Sequence, residues 1–420
     1  MSEPRTTDKI IAAHDQFMTM NYGRYPVVLV RGEGVRCWDA EGQAYLDLFA
    51  GFGGPILGHC HAAQLDAITQ QAKLLWHVGN LFHTVPQVQL AERLHRTAFH
   101  GKSFFCHGGA DANEAAIKLA RVYGRTRPNA KGEARYKIIT AKRSFHGRTF
   151  GAMMATGQEK VYKGYAPLLE GFTHVPFNDL DAVAAAADDR AVAVMFEPIQ
   201  GEGGVNMPAD DYLPKLRALC DERDLLLMID EVWTGCGRTG KWFAYQHWLD
   251  QEHAPDVLTV AKGLGGGMPV AAIHVGPKAE GCFDYREQNG VVHATTLGGN
   301  CLSMAVAAAV LDTIEQDNLI AHAQRLGDHA IARLRKFAET HPCITAVRGK
   351  GLFIGVELDL EKAGLPFKDA GELAQHALLK HHLIINACQG NVLRIAPAMV
   401  ITQDEFDEGL TLLENILTGA

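Results

Sequence analysis

The chain predicts an α/β fold, a mostly parallel sheet covered by helices, followed by a smaller α+β unit. Two observations carry this reading. Between about residues 55 and 305, short apolar runs alternate with longer stretches of helical period, the pattern of strands joined by helical crossovers. Within that pattern, the runs at 225–229 and 257–261 lead into Asp230 and Lys262. Polar residues therefore stand where sheets of this kind place their ligands, at the carboxyl ends of strands.

The elements follow in order. Apolar residues at 27–30 and 35–38 flank Gly32-Glu33-Gly34 and predict a hairpin. Asp39-Ala40-Glu41-Gly42 predicts a turn before a strand at 45–48. The central pattern predicts strands at 103–106, 136–140, 191–196, 225–229, 257–261 and 270–275, with helices at 86–99, 111–123 and 209–223. The alanine-rich stretch at 182–187 also reads as helix. Beyond it come helices at 303–316 and 319–341, a strand at 353–358, a helix at 371–380 and strands at 383–386 and 392–395. A length of 420 residues is too great for one simple core. The expected division is an N-terminal segment (1–54) joining the small domain, a large domain (55–305) and a C-terminal small domain (306–420).

Bulk properties narrow the function classes. With 47% apolar and 21% charged residues, the composition is that of a soluble globular protein. A net charge of -8 argues against a nucleic-acid partner. No apolar run reaches the length of a membrane span, so no membrane partner is expected. The polar, acid-containing start does not read as a signal peptide. The 9 scattered cysteines show neither zinc spacing nor a disulfide framework. A reducing, cytoplasmic location fits them. His59-Cys60-His61 reads as structural, adjacent ligands in a short loop being a weak metal signal, and no metal is expected. The glycines after Lys262 lack the spacing of a dinucleotide fingerprint.

Several residues carry chemistry. A lysine and an aspartate at the ends of two buried strands are the pair that pyridoxal phosphate needs: the amine attaches the aldehyde, and the carboxylate keeps the pyridine nitrogen protonated. Read singly, Lys262 is more often a solvated charge, and Asp230 is equally a helix cap; the pairing raises both. His107-Gly108-Gly109-Ala110-Asp111 follows a strand and opens a helix, so its free N–H groups suit a phosphate, or form a plain strand-to-helix turn. Phe145 offers an aromatic face, and Arg148 a fork for a carboxylate. Arg394 lies inside the apolar run 392–397 and needs a partner; Glu202, just past the run ending at Phe196, is the candidate. Thr295 and Thr296 offer hydroxyls in a polar turn that also reads as ordinary helix capping.

With these residues in view, the chain resembles the class-III (ω-amino) pyridoxal-phosphate aminotransferases of fold type I over nearly its whole length. Tyr22-Gly23-Arg24-Tyr25-Pro26-Val27, Leu57-Gly58-His59-Cys60-His61, Phe145-His146-Gly147-Arg148-Thr149, Asp230-Glu231-Val232 and Ala261-Lys262-Gly263 are similar to the acetylornithine/ornithine aminotransferase branch. The resemblance implies pyridoxal 5′-phosphate as cofactor. Lys262 and Asp230 would be catalytic, and Gly108, Gly109, Ala110, Phe145, Glu231, Val232, Trp233 and Thr296 would surround the cofactor. Thr296 would reach the cofactor of a neighbouring subunit, which implies a homodimer with shared active sites. Tyr22, Arg148, Glu202, Thr295 and Arg394 would contact substrates. Arg394 would bind the α-carboxylate of glutamate or 2-oxoglutarate, and Glu202 would screen it when the other amine is bound.

The chain departs from the family in places. His107-Gly108 replaces the usual Asn-Ser, and Trp233 replaces a glutamine near the cofactor's phenolic oxygen. The expected reaction is transfer of an ω-amino group from N-acetylornithine or an ornithine-like donor to 2-oxoglutarate, as in arginine biosynthesis. Alternatives are 4-aminobutyrate or another ω-amine as donor, or an aminomutase or decarboxylase of the same fold.

Overall fold

A computed structural model describes residues 6–419; the first five residues of the expected N-terminal segment lie outside the described residues. The N-terminal hairpin is β1 (Leu29–Glu33) and β2 (Arg36–Asp39), followed by β3 (Ala44–Asp47).

The central sheet has seven strands: β4 (Lys102–Cys106), β5 (Lys137–Ala141), β6 (Phe172–Val175), β7 (Ala191–Phe196), β8 (Leu226–Asp230), β9 (Val257–Val260) and β10 (Ala271–Val275). Their order is β4-β10-β9-β8-β7-β5-β6. The pairings among β9, β8, β7, β5 and β6 are parallel, and only β10 runs against its neighbours.

The inner strands β7, β8, β9 and β10 are buried at every position and mostly apolar because both sheet faces are covered. Along β8, Leu226 and Met228 join the core under the Gly109–Thr126 helix, while Leu227 and Ile229 join the core on the other face. The period of two sends Asp230 to the side of Leu226 and Met228, toward that helix. This alternation places the carboxylate.

The C-terminal sheet contains β11 (Ile344–Lys350), β12 (Phe353–Leu358), β14 (Asn386–Cys388) and β15 (Val392–Ile395), in the order β11-β12-β15-β14. The strand expected at 383–386 divides. Leu383–Ile384 forms β13, which pairs in parallel with β3, and Asn386 onward turns into the C-terminal sheet. The start and end of the chain are thus stitched into one four-stranded sheet.

Elements not read from the sequence include β6, β11 and the helices Thr7–Phe17, Ala62–Ala72, Phe150–Ala155 and Gln403–Thr418. Both strands mix apolar with polar residues and are only partly buried, so neither shows a clean run. The Gln403–Thr418 helix opens on a capping box of Thr402 and Glu405, a legible start signal. The helix expected to reach residue 341 ends at Ala338, beside the turn before β11.

Candidate active site

A cavity of about 360 Å³ opens at the carboxyl ends of β7, β8 and β9. Asp230 is the last residue of β8, and Lys262 follows the end of the adjacent β9 by two residues. Both line the cavity. Lys262 has φ of +43°, a conformation rarely held by a side-chain-bearing residue except where surroundings over-determine it. Burial pushes its amine down to about 8; Asp230 and Glu202 pull against this, and Arg394 adds to it.

Asp230 is held by three donors. Asn113 donates from the Gly109–Thr126 helix at 2.8 Å, the His146 Nδ1 lies at 2.7 Å, and the Val232 N–H donates at 2.9 Å. Burial alone would raise this carboxyl, but the His146 bond and charge hold it below the usual carboxylate range. His146 titrates above its ordinary value: burial works to lower it, and the Asp230 bond outweighs that. A fixed negative charge therefore faces the cavity from one end, opposite an amine with depressed proton affinity.

One end of the cavity is built by the helix beginning at Gly109. No side chain caps its first turn, and His107, Gly108, Gly109 and Ala110 line the cavity, so unpaired N–H groups face it. Gly109 is required by packing: a Cβ there would stand 2.6 Å from Val232 Cγ1. Phe145 forms one wall, with Arg148 exposed at the rim, its guanidinium 5.9 Å from the Phe145 ring centre.

Behind the far end, and not itself lining the cavity, lies Arg394, 1% exposed, paired with the lining residue Glu202 at 2.7 Å and bonded to Asn386 at 2.9 Å. Trp233 lies between the two cations. Its ring centre is 4.1 Å from Lys262 Nζ and 4.5 Å from the Arg394 guanidinium carbon. The indole N–H is buried without a hydrogen-bond partner among the described residues. Its edge abuts Gly53, where any Cβ would meet Nε1 at 2.4 Å.

Three residues important to this geometry were not singled out from the sequence: Asn113, His146 and Glu197. Glu197 directly follows β7, the position Asp230 occupies at the end of the neighbouring strand, so the strand-end rule could have found it. It accepts from the Phe145 and Gly201 N–H groups, each at 3.1 Å, and burial raises it to about 7.

Several expected site residues lie elsewhere. Glu231 was expected at the cofactor, but the strand alternation turns it to the opposite face; its carboxylate accepts from the Tyr245 N–H and the Thr234 hydroxyl. Tyr22 stands 65% exposed on the N-terminal segment, outside the cavity. Thr295 and Thr296 line a second cavity of about 640 Å³, and Thr295 Oγ1 lies 3.3 Å from His107. Glu202, Arg148, Val232 and Trp233 do line the first cavity.

The residues present fit pyridoxal 5′-phosphate: an uncapped helix start for the phosphate, a buried carboxylate for the ring nitrogen, an aromatic wall, and a lysine of lowered proton affinity. The volume lies in the small-ligand range.

The family model for class-III aminotransferases matches residues 17–417. The chain is 45% identical over 409 residues to the acetylornithine aminotransferase of Caldanaerobacter subterraneus subsp. tengcongensis, covering 97% of this chain and 99% of that protein. It is 41% identical to the acetylornithine aminotransferase of Nitrosomonas europaea, covering 94% and 96%. Among solved structures, the ornithine aminotransferase of Toxoplasma gondii superposes with a TM-score of 0.90 at 29% identity, covering 99% of this chain and 96% of that one. The acetylornithine aminotransferase of Elizabethkingia anophelis gives 0.84 at 29% identity, covering 99% and 100%.

Proposed function

Since the chain belongs to the class-III aminotransferases, a family that works with pyridoxal 5′-phosphate, we propose that it moves the terminal amino group of N-acetylornithine, ornithine or a related ω-amino acid onto 2-oxoglutarate, releasing an aldehyde and glutamate. The observation that carries this reading is the Arg394–Glu202 pair at the edge of the cavity of Lys262 and Asp230, with Glu202 lining the cavity and Arg394 directly behind it. Arg394 can serve the α-carboxylate of an acceptor only when Glu202 swings aside, and with Glu202 in place its charge is neutralised for a donor lacking a carboxylate there. One site thus alternates between two substrates of unlike charge.

When bound, the cofactor supplies an aldehyde that holds the substrate amine and a ring that accepts the electron pair of a breaking C–H bond. The chain does the rest. The first-turn N–H groups at Gly109 and Ala110 would hold the phosphate. Asp230, kept ionised by His146 and Asn113, would pair with the ring nitrogen and keep its proton in place. Phe145 would offer its aromatic face to the ring. Lys262, with its amine lowered to about 8, has a free-base fraction near neutrality and can take a proton from the amine-bearing carbon. It then returns that proton within the site.

The homodimer belongs to the same reading. Leu74, Trp76, Leu81, Phe82, Val85 and Val291 are each at least 60% exposed, and Leu81 is 94% exposed. So many exposed large apolar side chains call for a partner surface. Leu81 and Val291 line the second cavity with Thr295 and Thr296, which supports delivery of these hydroxyls to a neighbouring subunit's site. The cytoplasmic location and the division of the chain near residues 54 and 305 remain part of this proposal. No helix among the described residues is long and apolar enough to cross a membrane.

Trp233 favours a second reading. It fills space between Lys262 and Arg394, which suits a shorter donor such as 4-aminobutyrate. The test is a donor panel with purified holoenzyme and 2-oxoglutarate, reading glutamate. N-acetylornithine should support turnover. Absence of glutamate from every ω-amine, or donor conversion well beyond one equivalent per active site without an acceptor, overturns the proposal.

A further inference from the structure

Outside the amine-transfer cavity, three donor atoms from separate parts of the N-terminal region converge. Cys37 Sγ on β2 lies 3.1 Å from His59 Nε2, and the same nitrogen lies 3.1 Å from Asp47 Oδ2 at the end of β3. All three donor atoms lie within 4.8 Å of one another. Cys37 is 4% and Asp47 5% exposed, while the His59 side chain keeps 25% of its surface open.

The arrangement is fixed from several sides. The other Asp47 oxygen accepts from the Phe49 and Ala50 N–H groups at 2.9 and 2.8 Å, which aims Oδ2 at His59. The His59 backbone is bridged to Gly34. Its ring packs on Gly32 so closely that a Cβ there would lie 2.6 Å from His59 Cβ. One imidazole nitrogen faces both a thiol and a carboxylate, and its single proton cannot serve as a full hydrogen bond to both. A cation at the meeting point satisfies all three at once.

We propose that Cys37, Asp47 and His59 form a binding site for one thiophilic divalent cation, of which zinc(II) is the first example. Sulfur, imidazole nitrogen and carboxylate oxygen are the zinc donor types. Ordinary zinc bond lengths in a tetrahedron put such donors roughly 3.3–3.6 Å apart, so the two 3.1 Å separations need widen by only a few tenths of an ångström. On binding, the thiol gives its proton to solvent and coordinates as thiolate. Three protein ligands leave a fourth position for water on the open side of His59. The sequence neighbours Cys60 and His61 are not part of the set; the partners of His59 come from strands that only folding brings near it.

The site reaches the active cavity through Asp47. Its second oxygen holds the first residues of the 49–54 loop, and that loop packs on Trp233: the Phe49 and Trp233 ring centres are 6.1 Å apart. Cation binding fixes the Asp47 carboxylate and so tightens that wall.

The test uses chelator-treated holoenzyme titrated with cobalt(II), with zinc(II) as competitor. One cobalt per chain with a thiolate charge-transfer band in the near ultraviolet, displaced by zinc, is expected. Cys37→Val, which keeps an apolar strand residue, should remove the band and weaken zinc binding on the order of 100-fold, while its thermal midpoint without metal stays close to that of the parent. Cys60→Ser should leave the band intact. Absence of any band, or a band that survives Cys37→Val and is lost in Cys60→Ser, overturns the proposal.

Discussion

Replacing His146 with leucine isolates what holds Asp230 ionised. The Nδ1 contact is 2.7 Å long, buried, and joins two groups that are 2% and 4% exposed. A point-charge bound at that distance with an effective dielectric of 20 is about 6 kcal/mol, but desolvation offsets most of it. The net value of a buried charge-assisted hydrogen bond is about 1.5–3 kcal/mol, or about one to two pH units of carboxylate titration. Asn113 and the Val232 N–H remain, so Asp230 does not lose all support. The sign follows from burial: without His146 the carboxyl titrates higher. In the role proposed for Asp230 the ionised form is the active one, so the acid limb of the half-reaction rate with glutamate should move up by about one to two pH units, with little loss at pH 8. Breaking the buried pair should also lower the thermal midpoint by about 3–6 °C. His146→Gln, which can still donate an N–H, should recover part of the shift. An acid limb that stays in place in the leucine variant refutes the reasoning, as does an equal loss at every pH.

Lys262→Ala should abolish turnover, and borohydride should no longer fix the cofactor to the chain by mass spectrometry, while the phosphate cradle still binds it. Glu202→Ala frees Arg394 from a pair worth about 1–2 kcal/mol at its partial exposure, so the KM for 2-oxoglutarate should fall about 5- to 30-fold. Trp233→Gln should open the Arg394 end and raise the preference for N-acetylornithine over 4-aminobutyrate, measured as a kcat/KM ratio, by about tenfold or more. The contribution of Glu197 and Glu231 to the thermal midpoint of the cofactor-free protein should fall as pH rises from about 4.5 to about 7, against the opposite contribution of the buried His247 and His274, which burial holds down to about 4. Over that range Glu197 and Glu231 keep their protons when folded but lose them when unfolded, because burial raises both to about 7. Glu197→Gln should flatten that slope in a calorimetric pH series.

The α/β class, the central strands and the Asp230–Lys262 pair were legible because they depend on local pattern. A strand covered on both faces must be apolar throughout, and a charge straight after such a run stands out. Gly109 and Ala110 were legible for a similar reason, since a strand-to-helix turn advertises its free N–H groups. Arg394 was conspicuous as a charge inside an apolar run, and Glu202 as its partner followed from the strand-end rule.

Tertiary structure alone decided the rest. Asn113 and His146 meet Asp230 from 117 and 84 residues away, and no local pattern encodes that meeting. Glu231 stands next to Asp230 in sequence yet faces the other side, because successive strand residues point to opposite faces of the sheet. β13 left its apparent run to pair with β3, since open backbone groups at that edge take whichever strand lies within reach. Local composition by itself determined the kind of chemistry this chain can hold. Which side chains support it, and which turn away, was decided by the packing of segments far apart along the chain.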